Sequence, residues 1–196
     1  MKKPRILTLV GGISQGSINR KLFKDVQTLI KDEAELVAFD LSKLPFFSQD
    51  LELDPPDLVT MFKEEIRNAD AVLFITPEYN RSIPGVLKNA IDWGSRPYGQ
   101  NLWEKLPAAI MGASIGNIGT FGAQHHLRQI LSYLNVYVMN QPEFYLNASR
   151  IDEKTTGLIK NFWDSFEKWI TEHKEPLVTE APHYKSQGLE DFPGIH

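Results

Sequence analysis

Short apolar runs alternate along this chain with stretches whose apolar residues return at helical spacing. The first run, Arg5–Val10 (RILTLV), is rich in strand formers and stops at Gly11-Gly12, as a buried strand does before a tight turn. Over residues 17–30 apolar side chains recur at Ile18, Leu22, Val26, Leu29 and Ile30, which predicts a helix with Ser17 as its N-cap. Residues 35–39 predict strand two, and residues 40–56, with three prolines and no period, a long loop. Pro56 and Asp57 open helix two, which runs to residue 68, and Ala71–Ile75 is an almost unbroken apolar run of the kind that fills a parallel sheet.

Pro77 stops that run, and Pro84, whose fixed φ suits a first helical turn, starts helix three over residues 84–93. A loop over residues 94–106 leads to strand four at residues 107–113, a glycine-rich turn, a helix over residues 121–134 and strand five at residues 136–139. Residues 153–172 form a last amphipathic helix, with Ile159, Phe162, Trp163, Phe166, Trp169 and Ile170 on one face. This alternation predicts an α/β fold, a doubly wound five-stranded parallel sheet with right-handed crossovers, helices on both faces and strand order 2-1-3-4-5. In that order the loops at residues 11–19, 76–82 and 114–119 share one crevice at the carboxyl ends of neighbouring strands, where such sheets hold ligands. Residues 1–172 make one domain; residues 173–196, with three prolines and no period, read either as a solvated extension or as one packed on a neighbouring subunit.

Composition narrows the function. A chain of 196 residues, 42% hydrophobic and 23% charged, fits a single globular domain. Its net charge of −4 gives no electrostatic case for nucleic acid. The apolar run at residues 6–10 is too short for a signal peptide core or a membrane span, so the expected location is the cytoplasm. There is no cysteine, which excludes disulfides and thiolate chemistry; electrons, if the protein moves them, are carried by a bound cofactor. His125 and His126 are neighbours on a helix, about 100° apart, and cannot chelate one ion, so no metal is expected and both read as structural or interface residues.

The first loop, GGISQGSIN, is not a dinucleotide fingerprint, because Ile13 stands at the second glycine position; nor is it a P-loop, because Ser17 stands where the lysine belongs. What remains is a helix N-terminus ringed by Ser14, Gln15, Ser17 and Asn19. Backbone N–H groups and hydroxyls there suffice for a phosphate, since each hydrogen bond to a charged group contributes roughly 1.5 to 3 kcal/mol. The plainer alternative is that Ser17 only caps the helix. In the second loop, PEYNRSIPG, Tyr79 can flank a flat ring and Asn80 can bond its polar edge, unless the pair is only turn chemistry and Glu78 only a partner for a nearby cation. A phosphate site about one sugar-length from a flat-ring site suits a mononucleotide with a large heterocycle, and flavin mononucleotide (FMN) fits that description.

These motifs resemble the NADPH-dependent FMN reductases of the flavodoxin-like superfamily, which include quinone, chromate and azo-dye reductases. The resemblance spans residues 5–172 and rests on the phosphate loop, on PEYNRSIPGVLKNAIDW, on the glycine-rich turn after strand four and on HLRQIL from His126. It implies FMN as cofactor, NADPH or NADH as electron donor, a quinone-like or other small electron acceptor, and a homodimer or homotetramer. It implies no protein acid or base as catalyst. The FMN-binding residues it implies are Gly12, Ser14, Gln15, Ser17, Ile18 and Asn19 around the phosphate, Pro77, Glu78, Tyr79 and Asn80 along the isoalloxazine, and Ser114, Ile115 and Gly116 at the ring's other edge. Two departures stand out: Ser14 occupies the position of a loop arginine, removing a cation, and the arginine and tyrosine that meet Glu78 in the family are absent after strand four. An FMN electron carrier without its own nicotinamide site is the alternative reading.

Overall fold

The computed structural model describes residues 3–148 and 153–173. The expected subunit-packing extension falls almost wholly on residues 174–196, outside the described residues.

β1 (Arg5–Val10) lies at the middle of one half of the sheet, paired in parallel with β2 (Glu35–Ala38) on one side and β3 (Ala71–Ile75) on the other. β4 (Pro107–Ser114) pairs with β3, and β5 (Tyr137–Val138) with the start of β4, so the order β2-β1-β3-β4-β5 is the one the alternation of elements predicts. Among the described residues the sheet has six strands, however, and not five. β6 (Phe144–Asn147) pairs in parallel with Met111–Ser114, the second half of β4, so two short segments share one edge of that strand. Pro142 lies between them, and a residue with no N–H cannot continue a ladder. The period-2 signal of β6 was present in the sequence, with Phe144 and Leu146 buried and Tyr145 and Asn147 half-buried, but it covers four residues only.

Alternation along the strands sends side chains to two cores. Leu7, Leu9, Val72 and Phe74 pack with Phe62 of α2 (Asp57–Arg67), Leu87 and Trp93 of α3 (Gly85–Gly94) and Leu127 of α4 (Phe121–Tyr133). Ile6, Leu73 and Ile75 pack on the opposite face with Leu22 and Val26 of α1 (Ile18–Leu29) and with Ile159, Phe162, Trp163, Phe166 and Ile170 of α5 (Glu153–His173). Trp169 joins that face only partly buried, its ring N–H donating to the Tyr137 carbonyl at 2.8 Å. Each fully buried large apolar side chain contributes about 1.5 to 3 kcal/mol, so the two cores, and not loop contacts, set the stability of the frame.

The long connection over residues 40–56 is not free chain. It contains two single-turn helices, Leu41–Lys43 and Gln49–Leu51, and its Pro45 carbonyl accepts from both Asn89 and Trp93 of α3, at 2.9 and 2.8 Å. Trp103 anchors the connection into β4 in the same manner, donating its ring N–H to the Ile91 carbonyl at 2.9 Å. The loops at the carboxyl ends of β1, β3 and β4 lie together at one end of the sheet.

Candidate functional site

The three loops expected to converge do so through named contacts. Gly11 donates its N–H to the Ile75 carbonyl at 2.9 Å, and a side chain on Gly11 would press on Pro77 and Pro84, so the first loop lies directly on the second. Asn19 joins the first loop to the third strand of the crevice: its amide donates to the Ala113 carbonyl and accepts the Ala113 N–H, both at 2.9 Å. That side chain is 2% exposed. Asn19 therefore holds the amino end of α1 against β4, and its place in a phosphate site is through position, not through a free amide.

At the mouth of the first loop Ser17 caps α1, its hydroxyl accepting the Arg20 N–H at 3.3 Å. Gly12 is required there, since a Cβ would stand 2.1 Å from the Ser17 hydroxyl oxygen. Ser14, Gln15 and Gly16 are exposed around the N-terminus, Ile18 packs partly into the core, and the first-turn N–H groups have no acceptor within the helix. Arg20, a residue the motif reading passed over, folds back so that its Nε donates to the Gly12 carbonyl at 3.1 Å. Its charge also helps Lys43, and chiefly the Ser42 hydroxyl and N–H, to hold the Asp40 carboxyl below its ordinary value of 3.8. A cation at the third helical position is thus brought back to the loop by the turn of the helix.

In the second loop Pro77 is buried, Glu78 is half-buried, and Tyr79 and Asn80 face solvent, with Tyr79 55% exposed. Tyr79 and Ser82 exchange both backbone hydrogen bonds, at 3.0 and 2.9 Å, around Asn80 and Arg81, whose φ values are 51° and 64°. The tip is therefore a tight hairpin with two left-handed residues. Glu78 has partners after all, and both are within the chain: Oε2 accepts the Ala123 N–H of α4 at 3.0 Å and Oε1 pairs with Arg81 at 3.2 Å. The Ser82 hydroxyl meets His126 Nδ1 at 2.7 Å, while His125 bonds the Phe121 carbonyl at 3.0 Å and stacks on its ring. Both histidines belong to the packing of α4 and its loop, and among the described residues no group of acidic residues and histidines could hold a metal.

The third loop is a cup built by Ser114, whose hydroxyl donates to the Gly119 carbonyl at 2.7 Å and accepts the Gly116 N–H at 3.1 Å. Beneath it Gly112 allows β4 to touch both α4 and the second loop, as a Cβ would stand 2.0 Å from the Thr120 hydroxyl and 2.5 Å from the Thr76 carbonyl. Between the second and third loops opens a cleft of ≈ 430 Å³ lined by Glu78, Arg81 and residues 114–119. Of its lining, Ile115 and Ile118 stand exposed, Ile115 by 80%, as do Tyr79 and Ile13 of the second and first loops. A flat ring flanked by apolar side chains suits such a rim, and an anion suits the exposed N–H groups at the amino end of α1.

Residues 4–150 match the family described as NADPH-dependent FMN reductase. The chain belongs to that family. It is 41% identical over 179 residues to a 2-hydroxy-1,4-benzoquinone reductase of a Burkholderia species, covering 87% of this chain and 98% of that one. A quinone reductase of Pseudomonas putida is 41% identical over 174 residues, covering 84% and 94%. Among solved structures it is similar to FerB, a flavoenzyme NAD(P)H:(acceptor) oxidoreductase from Paracoccus denitrificans, with a TM-score of 0.84, 40% identity and coverage of 88% of this chain and 100% of that one. In this chain Arg20 brings a cation to the first loop although Ser14 is uncharged, and Glu78 is held by Arg81 and the amino end of α4.

Proposed function

We propose that this chain is an FMN-dependent NAD(P)H oxidoreductase that reduces a quinone-like acceptor. The single observation that carries the reading is a cleft at the end of β4, the strand to which Asn19 ties the amino end of α1, in a member of this family. The α1 N–H groups, the hydroxyls of Ser14 and Ser17, Gln15 and the Arg20 guanidinium would hold the phosphate, with Gly12 and Asn19 keeping them in register. Residues 77–80 and 114–116 would flank the isoalloxazine. The chemistry FMN supplies when bound is two-electron transfer, in which NAD(P)H and a proton convert a quinone to its hydroquinone and NAD(P)⁺ is released.

The residues themselves orient and shield. The hairpin at Tyr79 and the Ser114 cup would fix the two edges of a planar ligand, and the exposed side chains of Ile115, Ile118 and Tyr79 would lie against its faces. No acid or base is assigned, and none is needed for hydride delivery. The exposed apolar rim fits a homodimer or homotetramer in which a second subunit covers the site. The proposal puts the protein in the cytoplasm, where the reduced nicotinamide pool is held. An FMN carrier without a nicotinamide site is the second reading, and relatives that are NAD(P)H-dependent reductases, FerB among them, favour the enzyme.

The test is the visible spectrum of the purified protein together with steady-state oxidation of NADPH and NADH by a benzoquinone in the presence of FMN. A flavin spectrum with turnover of at least one nicotinamide is expected. Bound flavin with oxidation of neither nucleotide would overturn the enzymatic reading.

A further inference from the structure

The hairpin tip carries an arginine at a position whose backbone favours glycine. Tight hairpins with two positive φ values take Asn-Gly far more readily than any other pair, and here the second central residue is Arg81, at φ 64°. Holding a long L side chain in the left-handed region costs roughly 1 to 2 kcal/mol. Among the described residues the guanidinium pairs with Glu78 alone, at 3.2 Å, and the Arg81 side chain is 73% exposed. An ion pair that open contributes about 0 to 1 kcal/mol and does not outweigh the strain. A residue kept at a strained position that its structural contacts do not justify points to a ligand.

The surroundings say which ligand. Among the described residues, Arg81 is the only cation lining the ≈ 430 Å³ cleft, and Glu78 the only anion. Glu78 is fixed independently by the Ala123 N–H and is opposed by the positive end of α4, so it stays in place when the guanidinium turns away. A guanidinium has five N–H donors in a planar fork, and one of these is used here. Such a fork matches phosphate oxygens two at a time.

We propose that Arg81 binds the diphosphate of the incoming nicotinamide dinucleotide at the outer rim of the cleft, exchanging Glu78 for phosphate. This rests on the oxidoreductase reading above. In a protein whose net charge is −4, a single well-placed cation at the entrance also offsets repulsion of a polyanionic donor. Arg81 is a binding residue for the donor and has no part in holding FMN.

The test compares Arg81→Gly and Arg81→Lys with the wild-type FMN-loaded protein. Glycine adopts the left-handed conformation freely, so the hairpin survives its introduction. Calorimetric titration should show NAD⁺ and NADP⁺ both weakened about tenfold in Arg81→Gly, roughly 1.4 kcal/mol, with KM for NADH and NADPH rising in parallel. Arg81→Lys should lose less, about threefold, because it keeps the charge but not the fork. The Kd for FMN should be unchanged, and the melting temperature no lower. Unchanged nucleotide binding in Arg81→Gly overturns the inference, and so does a loss confined to NADP⁺, which would assign Arg81 to the 2′-phosphate. Wild-type protein that binds neither flavin nor nicotinamide nucleotide overturns the functional reading itself, whereas normal wild-type binding with an unaffected variant overturns this inference alone.

Discussion

The carboxylate of Glu78 accepts the backbone N–H of Ala123 at 3.0 Å, so a residue of the second loop caps the helix that follows the third. Thr120, at the ordinary capping position of α4, makes no side-chain cap bond, and Gly122 leaves the space through which Glu78 reaches. One contact therefore ties the geometry of the hairpin to the integrity of α4.

Removing that cap should destabilise the protein. Glu78→Ala is expected to lower the unfolding free energy by about 1 to 2 kcal/mol, as loss of a helix cap does, and Glu78→Gln by less, because an amide oxygen still accepts. Urea unfolding followed by circular dichroism checks both. Equal losses in the two variants would mean that charge, and not hydrogen bonding, is what α4 receives.

Ser17 separates capping from phosphate binding. Aspartate caps as well as serine, so Ser17→Asp should fold with stability within about 0.5 kcal/mol of wild type, yet its carboxylate would face the phosphate and FMN retention should be lost. Ser17→Ala should show the reverse balance, losing about 1 kcal/mol of stability and only part of its FMN affinity. A yellow Ser17→Asp protein after purification would contradict the phosphate assignment.

Asn19 behaves differently because its amide serves β4. Asn19→Ala leaves the N–H and carbonyl of Ala113 buried without a partner, and a loss of about 2 kcal/mol or more is expected. FMN affinity should fall with it, as the amino end of α1 drifts from the sheet. Stability unchanged beside lost FMN would return Asn19 to direct phosphate contact.

Lys63 of α2 is buried, with its ammonium 5.8 Å from the Trp93 ring centre. Burial, then repulsion from Arg67, lowers its pKa from 10.5, with Glu52 opposing. The folded state gives up this proton before the unfolded chain does, so between the lowered value and 10.5 the unfolded chain binds more protons and stability rises with pH. Lys63→Met should abolish that rise and increase stability at neutral pH, at the expense of the weaker ring contact. Denaturant midpoints measured from neutral to alkaline pH check it, and a fall in stability at neutral pH would show that the ring contact dominates.

Much of this was legible beforehand. The alternation of β1, the unbroken apolar β3 and the stripe on α5 were readable because burial on one or two faces dictates side-chain type at a fixed period. The loops were readable as loops, since Gly11-Gly12, Pro77 and Pro84 act on backbone conformation locally. β6 escaped notice because a four-residue strand carries only two inward positions, and the split of one sheet edge into β5 and β6 depends on what β4 can pair with.

Sequence by itself determined the order of elements, the convergence of three loops and the residue types around an anion site, because these follow from local periodicity and from the rule that ligands lie at the carboxyl ends of parallel strands. Only the tertiary structure decided what those residues do. It turned Asn19 inward to Ala113, returned Arg20 to the first loop, gave Glu78 a partner in Ala123 and put Arg81 in a left-handed turn facing the cleft. Hydrogen bonds between residues many positions apart obey distance and direction in space, and no spacing along the chain encodes them.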